Sequence, residues 1–368
     1  NEERNEEIMK RNKTAALLLS LALTFGLLGG CASTAAPGTA APETAPPGTA
    51  APETAAPETA APYVTVNLGL LKGPTGMGAA KLLADNDADF AQAEAGTYEG
   101  TLLRYEVTLG ADPANDIVPK LINGELDLAA VPTNLAASLY NKTQGGVKLL
   151  ALNTLGVLHI LENGESVHSM ADLAGKTLYA TGQGANPEYV LHYLLEQNGL
   201  TPGRDVTIEW KTSDELTTLM ASGEIELCML PVPAATSVML QNADVRDAVD
   251  LNDAWAGSGA RGTFTMGCLV GRTEWLEENS ELVSGILADY KASIAYANAE
   301  PEQAAALMEQ YEIVPKAAVA KAAIPQANLV YVDGEDLMEV SSYYEVLFAA
   351  DPTSIGGAIP DDAFYYVP

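Results

Sequence analysis

The side chains that could carry out acid–base or metal chemistry are few and poorly spaced in this sequence. His159, His168 and His192 are its three histidines, and none of them forms a spaced metal-binding pair. No Gly-x-Ser-x-Gly turn presents a nucleophilic serine. The 49 Asp and Glu residues make chance carboxylate pairs expected on any solvated face. We therefore predict no catalytic residues, no metal site and no cofactor, and a structural role for His159.

Four turns, each after a predicted strand, offer groups suited to binding a small molecule. The first has glycines that allow close backbone approach, followed by a helix with unpaired N–H donors. The others supply hydroxyl, amide and aromatic groups, although an ordinary strand-to-helix turn or helix capping accounts for much of the same sequence. The turns are Lys72–Met77, Pro132–Asn134, Thr181–Glu188 and Pro231–Thr236.

None of these turns has the pattern of a nucleotide site. The first lacks the Gly-Lys-Ser/Thr ending of a phosphate-binding loop, since Ala79 and Ala80 follow Gly78. In the third turn Pro187 stands where the last glycine of a dinucleotide fingerprint would come. Trp255 and Phe264 are possible aromatic walls for a ligand, but core packing explains them as well.

The segment from Met9 to Cys31 has the pattern of a bacterial signal peptide. Basic residues precede an uncharged apolar run, Ala15–Leu28, which at about 14 residues is too short to span a bilayer core of about 30 Å. The run ends in Leu-Gly-Gly-Cys, which resembles the lipobox of bacterial lipoproteins. We expect residues 1–31 to be a signal peptide with Cys31 as the lipidated anchor, and interpret residues 1–8 as sequence upstream of the native start.

Residues 32–62 consist almost wholly of Ala, Pro, Thr, Gly and Glu, with the motif APETA repeated. Such a segment has no apolar face to bury, so we expect a disordered, proline-stiffened tether. The folded part is then residues 63–368, where Cys228 and Cys268 lie in apolar runs and are interpreted as two separate buried thiols. A net charge of −30 makes nucleic acid a poor partner.

An internal repeat organises the folded part. The order strand, turn, helix, strand, helix, short buried strand occurs from Val64 to Pro132 and again from Lys176 to Pro231. The segment GELDLAAVP from Gly124 aligns with GEIELCMLP from Gly223 at a constant offset of 99 residues. The pattern predicts two α/β lobes of one design.

The chain is predicted to pass between the lobes twice. If Thr263–Val270 rejoins the sheet of the first lobe, lobe 1 comprises residues 63–155 and 264–368 and lobe 2 residues 156–263. Open α/β sheets bind ligands at the carboxyl ends of their strands, and those ends would face the cleft between the lobes. The result is a hinged pair of lobes around a ligand cleft.

Four motifs make residues 63–368 resemble bacterial ABC-importer solute-binding proteins, in particular the family that binds aliphatic sulfonates, nitrate, taurine and thiamine-pyrimidine precursors. They are LLKGPTGMGAAKLL, GELDLAAVPTNLA, LAGKTLYATGQGANPEYVL and SGEIELCMLPVP. The resemblance implies a type II periplasmic-binding-protein-like fold with two crossover strands, a solute held between the lobes, and delivery to membrane permease subunits. It also implies an extracytoplasmic lipoprotein that is not an enzyme.

The binding residues of that family lie in the same four turns. Carried to this sequence, they imply as solute ligands Lys72, Gly73, Thr75, Gly76, Met77, Thr133, Asn134, Thr181, Gly182, Gln183, Asn186, Pro231 and Thr236. The turns contain no arginine, which weakens an oxyanion assignment and favours neutral or weakly charged solutes. Two alternatives stay open: a pyrimidine-precursor synthase-like enzyme of the same fold family, and an exported ligand sensor.

Overall fold

The computed structural model describes residues 63–367. The predicted signal peptide, Cys31 and the tether lie outside the described residues. Within that range the strands are β1 (Tyr63–Leu71), β2 (Leu102–Gly110), β3 (Leu128–Pro132), β4 (Val147–Leu155), β5 (Leu158–Asn163), β6 (Thr177–Ala180), β7 (Thr207–Trp210), β8 (Leu227–Pro231), β9 (Val245–Asp250), β10 (Thr265–Arg272) and β11 (Leu329–Val332).

The strands form two sheets, and each belongs to one lobe. Lobe 1 contains a six-stranded sheet in the order β11-β4-β10-β3-β1-β2, and lobe 2 a five-stranded sheet in the order β7-β6-β8-β5-β9. In both sheets three neighbouring strands run parallel and the next strand runs antiparallel to them. Because β10 pairs with β3 and β4, the chain returns to the first sheet after building the second. The lobe boundaries at 155/156 and 263/264 stay a prediction.

Helices cover both sheets. They are α1 (Pro74–Met77), α2 (Ala80–Glu94), α3 (Val118–Ile122), α4 (Thr133–Thr143), α5 (Asn186–Gln197), α6 (Ser213–Ser222), α7 (Ala234–Gln241), α8 (Leu251–Gly257), α9 (Thr273–Glu278), α10 (Ser280–Ala299), α11 (Pro301–Gln310), α12 (Ala317–Ala323) and α13 (Val340–Ala350). Side chains cap several of them: Thr212 Oγ1 accepts a hydrogen bond from the Glu215 N–H at the start of α6, 3.2 Å away.

The repeat occupies equivalent places in the two lobes. β3 and β8 are offset by 99 residues, both are buried along their first four positions, and each lies between a parallel and an antiparallel neighbour. Gly124 and Gly223, which precede them, have left-handed φ angles of 78° and 77°. A left-handed residue is tolerated best as glycine, so the two turns share the same local requirement.

The helix predicted over residues 113–122 differs from the expectation. It begins with a π-helical turn, Pro113–Ile117, and only then becomes α3. Pro119 has no N–H and its ring would crowd the carbonyl group of Asn115 in a regular helix, which accounts for the wider first turn. The predicted Val147–Leu161 stretch likewise divides into β4 and β5, with Gly156 and Val157 crossing between the sheets.

The apolar core is shared by the two lobes. One buried cluster contains Leu149 and Val270 of the first sheet together with Ile160 and Leu178 of the second. Cys228 and Cys268 are both buried and free, one in each sheet, which confirms the interpretation as separate thiols. Burial raises the pKa of Cys228 to about 12 and also raises the pKa of Cys268, so both thiols stay protonated.

Candidate functional site

The two crossings lie beside the strand ends that the four turns follow. At the first crossing, the start of β5 pairs with the end of β8 through Leu158 and Pro231. At the second, the start of β10 lies next to the end of β3, where Gly267 pairs with Pro132. The turns after β3 and β8 therefore meet the crossing segments, and this junction between the lobes is the candidate site.

The first and fourth turns face each other across the lobes. A Cβ placed on Gly73 would lie 3.9 Å from Cδ of Pro233. Val232 is fully buried in a cluster that otherwise consists of lobe 1 residues and Val157, and its N–H donates to the Val157 carbonyl oxygen at 2.9 Å. Lys72 is exposed at the rim, and Pro231 is half-buried. The contact between these turns is therefore mainly apolar.

The rest of the first turn packs into lobe 1. Thr75 is 8% exposed and Met77 is fully buried. The Asn153 Nδ2 donates to the Thr75 carbonyl oxygen at 3.1 Å, and the Thr154 hydroxyl donates to the Pro74 carbonyl oxygen at 3.3 Å. Gly76 is buried, and a Cβ there would collide with the Leu71 carbonyl oxygen. The turn is fixed by its backbone, with Asn153 and Thr154 holding it.

The second turn is bonded to lobe 1 as well. The Thr133 hydroxyl lies 3.0 Å from that of Thr265, and the Thr133 carbonyl oxygen accepts from the Tyr344 hydroxyl at 3.0 Å. Asn134 Nδ2 donates to the Ser354 carbonyl oxygen at 3.1 Å. Asn134 is 6% exposed, yet its Oδ1 has no hydrogen-bond partner.

In the third turn the residues divide by burial. Thr181 and Gly182 are half-buried and Gln183 is exposed, whereas Asn186 is fully buried. Asn186 Nδ2 donates to the Thr265 carbonyl oxygen at 3.0 Å and lies 3.2 Å from the Met266 sulfur. Its Oδ1 accepts from the Tyr343 hydroxyl at 2.6 Å. Asn186 thus joins lobe 2 to lobe 1.

In the fourth turn Thr236 resembles Asn134. It is 5% exposed, and its hydroxyl oxygen has no hydrogen-bond partner. One unpartnered polar atom thus lies in a strand-end turn of each lobe. A buried polar group without a partner costs about 1–3 kcal/mol, so both are places where a bound group would be stabilising.

Sequence reasoning missed the residues that form the floor of the junction. Asn153 and Thr154 at the end of β4, Thr265 at the start of β10, and the hydroxyls of Tyr343 and Tyr344 on α13 make one buried polar network. Asn153 and Thr154 are adjacent polar residues in the otherwise apolar end of β4, and this pattern could have indicated a functional position. The tyrosines gave no such signal, because α13 is far away in sequence.

The floor carries no charge at neutral pH. Its asparagine and threonines do not ionise, and burial raises the pKa of Tyr343 and Tyr344 so that their phenols stay protonated. Burial also raises the pKa of Tyr290, whose hydroxyl oxygen accepts from Asn153 Nδ2 at 3.0 Å. Among the residues predicted as solute ligands, Lys72 is the one with a charged side chain.

The histidine and aromatic residues considered from sequence serve the core. His159 is 3% exposed, and its Nδ1 lies 2.9 Å from Asp247 Oδ2. Burial by itself lowers the pKa of His159, but the hydrogen bond and charge of Asp247, with Asp250 and Asp253, outweigh it and raise the pKa. Trp255 and Phe264 are stacked at 5.5 Å and almost fully buried. Both groups support packing, as expected for His159.

Two cavities in the described residues lie away from the junction. A cavity of about 500 Å³ between α2, β2 and α10 is lined by Asp85, Asp89, Tyr105 and Asp289, and one of about 420 Å³ lies beside Arg272. Between residues 63 and 367, no group of three His, Cys, Asp or Glu side chains is arranged to hold a metal ion. The helices in the same range include none with the length and apolar character of a membrane span.

Comparison with known proteins gives a family match and many structural matches. A family model described as NMT1/THI5 like matches residues 106–304. No curated protein matches the chain. Among solved structures, an ABC transporter from Parabacteroides distasonis is 20% identical with a TM-score of 0.67, covering 83% of this chain and 98% of its own.

Two further structures are similar over a comparable share of the chain. The periplasmic aliphatic sulphonate binding protein SsuA from Escherichia coli is 16% identical with a TM-score of 0.62, covering 83% of this chain and 92% of its own. The ligand binding component of an ABC-type import system from Staphylococcus aureus, solved with zinc bound, is 18% identical with a TM-score of 0.60 and covers 82% and 96%. The two-lobed α/β fold and the resemblance predicted from the motifs are confirmed.

Proposed function

Since this chain belongs to the NMT1/THI5-like family, we propose that it is an extracytoplasmic solute-binding protein that holds a small molecule between its lobes and delivers it to an ABC permease. The fold it shares with a protein described as an ABC transporter and with one described as the ligand binding component of an ABC-type import system supports this role. Closure of two lobes around a solute is a motion that such a hinged architecture permits.

The observation that carries the proposal is the pair of unpartnered buried atoms, Asn134 Oδ1 in lobe 1 and Thr236 Oγ1 in lobe 2. Buried polar atoms in folded proteins are usually hydrogen-bonded, so exceptions need an explanation. Among the described residues, the hydroxyls of Tyr105 and Tyr365 are also buried without a partner, but they lie away from the strand-end turns. Asn134 and Thr236 lie in the first turns of α4 and α7, directly after β3 and β8, at the carboxyl ends of parallel strands where open α/β sheets bind ligands. A solute bonded to both atoms would be held by the two lobes together.

The chemistry of the junction favours an uncharged solute. Asn134 Oδ1 is an acceptor and therefore requires an N–H or O–H donor on the solute. The floor network is neutral, and Lys72 at the rim is exposed rather than buried beside it. A sulfonate, such as the ligand named for SsuA, would enter this junction without a buried cation to balance its charge. We infer a neutral small molecule with at least one donor group, such as a pyrimidine.

The test is to identify small molecules released from the purified protein by mass spectrometry and then to measure thermal unfolding with candidate solutes. A true solute at 100 times its dissociation constant adds about 2.7 kcal/mol of stability. We expect pyrimidines to raise the melting temperature, with nitrate, taurine and aliphatic sulfonates as controls that leave it unchanged. Release of no compound, together with no shift from any candidate, would contradict solute binding.

The proposal includes lipid anchoring through Cys31 and a binding rather than a catalytic role. The signal-peptide pattern and the Leu-Gly-Gly-Cys sequence support the anchor and an extracytoplasmic location. The neutral floor supports binding without turnover, because no acid–base pair is among its side chains within the described residues. His159 is hydrogen-bonded to Asp247 within lobe 2, and it is not among the residues of the junction.

A further inference from the structure

Asn186 is held by lobe 1 although it belongs to lobe 2. Its side chain is fully buried at the start of α5, and its three contacts go to Thr265, Met266 and Tyr343. The amide nitrogen is bonded on β10, and the amide oxygen accepts from α13. An asparagine side chain has two donor hydrogens and one acceptor oxygen, so little of it is left for a solute.

No other side chain between β5 and α8 hydrogen-bonds to an element of lobe 1 in the part of the chain that the structure describes. The remaining contacts in that range are mainly apolar. Outside it, Asn328 Nδ2 donates to the Gly156 carbonyl oxygen at 2.5 Å at the first crossing, and the exposed side chains of Arg261 and Glu345 lie 4.0 Å apart. Val232 enters the lobe 1 cluster beside the first crossing. Near the second crossing, the Trp255 ring of lobe 2 packs at a tilt against Tyr343 of lobe 1, with ring centroids 5.3 Å apart.

These two kinds of contact restrain the lobes differently. Apolar surfaces attract without a preferred direction, so they tolerate small rotations of one lobe against the other. A hydrogen bond weakens steeply when its angle or length changes. Away from the crossings, the bonds of Asn186 are therefore the buried contacts that select one angle between α5 and the sheet of lobe 1.

We propose that the Asn186–Tyr343 hydrogen bond is a latch that holds the lobes at the angle of this structure, called closed below, and that Asn186 is a positioning residue rather than a solute ligand. That the latch governs solute capture rests on the proposed function. The latch itself concerns only the angle between the lobes, so its test requires no solute.

The neighbouring tyrosine provides a matched control. Tyr343 and Tyr344 are both fully buried on α13, and each hydroxyl donates one hydrogen bond. The bond of Tyr343 reaches lobe 2, whereas the bond of Tyr344 ends at Thr133 within lobe 1. Tyr343→Phe and Tyr344→Phe thus each remove one hydrogen-bonded hydroxyl from a fully buried position of α13, and only the first breaks the link between lobes.

The experiment measures the distance between spin labels on the two lobes by pulsed electron paramagnetic resonance. Labels are attached through Gln303→Cys on α11 and Thr218→Cys on α6, two exposed helix positions, in the full chain carrying Cys31→Ser. Cys228 and Cys268 are fully buried and should not be labelled.

We expect Tyr343→Phe to move the distance distribution toward a second, open population, with the open-to-closed ratio raised about fivefold, as loss of one buried hydrogen bond predicts. Tyr344→Phe should leave the distance distribution as in the parent protein. Both variants should lower the melting temperature by similar amounts, because each loses one buried hydrogen bond. Equal distributions for the two variants would overturn the latch.

A second variant covers the case in which Tyr343→Phe does not fold. Asn186→Ala breaks the same link from lobe 2 and should give the same shift in distances. Where both single variants fold, combining them should add little to the shift, because they remove one shared interaction. Additive shifts, or no shift from Asn186→Ala, would show that the pair does not act as a latch.

Discussion

Two threonines at the lobe junction differ in whether their hydroxyl groups are bonded. The hydroxyl oxygen of Thr154 lies 2.9 Å from Asn153 Oδ1 and 3.3 Å from the Pro74 carbonyl oxygen, so it has two acceptors within hydrogen-bond distance. Thr236 is also buried, but its hydroxyl has no partner. The same substitution at the two positions therefore removes a satisfied group in one case and an unsatisfied group in the other.

We predict opposite effects for Thr236→Val and Thr154→Val on the free energy of unfolding, measured by urea titration without solute. Thr236→Val should leave it unchanged or raise it by up to about 1 kcal/mol, because a desolvation cost is removed. Thr154→Val should lower it by about 1–2 kcal/mol, because bonds are lost and acceptors are left buried. If Thr236→Val destabilised the protein as much as Thr154→Val, its hydroxyl would have a structural partner and would not be available to a solute.

At the scale of elements, the two lobes share a glycine turn as well as the short buried strand that follows it. Gly124 comes shortly after α3 and Gly223 ends α6, and both precede the short buried strand of their lobe. A Cβ at either glycine would meet only ordinary contacts, 3.6 Å from Arg272 at Gly124 and 3.5 Å from Asn163 at Gly223. The restriction at both positions is therefore the left-handed backbone and not the available space.

We predict that Gly124→Ala and Gly223→Ala each lower the free energy of unfolding by about 1–2 kcal/mol, the cost of a left-handed conformation for an L-residue. Gly285→Ala on the exposed side of α10 is the control, and should raise it by about 0.5–1 kcal/mol because alanine favours the helix. Chemical denaturation of the three variants measures the difference. A neutral result at one glycine of the repeat would mean that the turn there relaxes and that the two lobes are not equivalent at this point.

For the whole molecule, the sequence predicts that the folded lobes are attached to the membrane through the segment before residue 63. The proposed anchor is Cys31, which a Leu-Gly-Gly sequence precedes, and the predicted tether separates it from the lobes. A single acyl chain binds membranes only weakly and reversibly, so stable attachment requires more than one chain on Cys31.

We predict that Cys31→Ser moves the protein from the membrane fraction to the soluble fraction when expressed in a bacterial host, as followed by fractionation and immunoblotting. Cys228→Ala is the control: it removes a buried thiol of lobe 2 and should leave the protein in the membrane fraction. Mass spectrometry of the control should show acyl chains on the N-terminal peptide. Retention of Cys31→Ser in the membrane fraction would show that something other than this cysteine attaches the protein.

The sequence by itself determined the features that depend on neighbours in the chain. Strand and helix positions followed from hydrophobic period and from Gly and Pro at the turns, and the second lobe followed from the nine-residue repeat at an offset of 99. The four turns were located for the same reason, since each follows a buried strand. Element bounds shifted by a few residues where a local feature intervened, such as Pro119 in the helix before β3.

Only the tertiary structure decided which side chains meet at the junction. Asn186 and Tyr343 are 157 residues apart, and Thr133 and Thr265 are 132 apart. No local pattern encodes such pairs, because they depend on how the second crossing returns the chain to the first sheet and on where α13 packs. The same long-range packing gives the side-chain amide of Asn186 its hydrogen-bond partners and leaves Asn134 Oδ1 and Thr236 Oγ1 without any. Residue types in the turns were thus readable from the sequence, whereas their hydrogen-bond partners were settled by the fold.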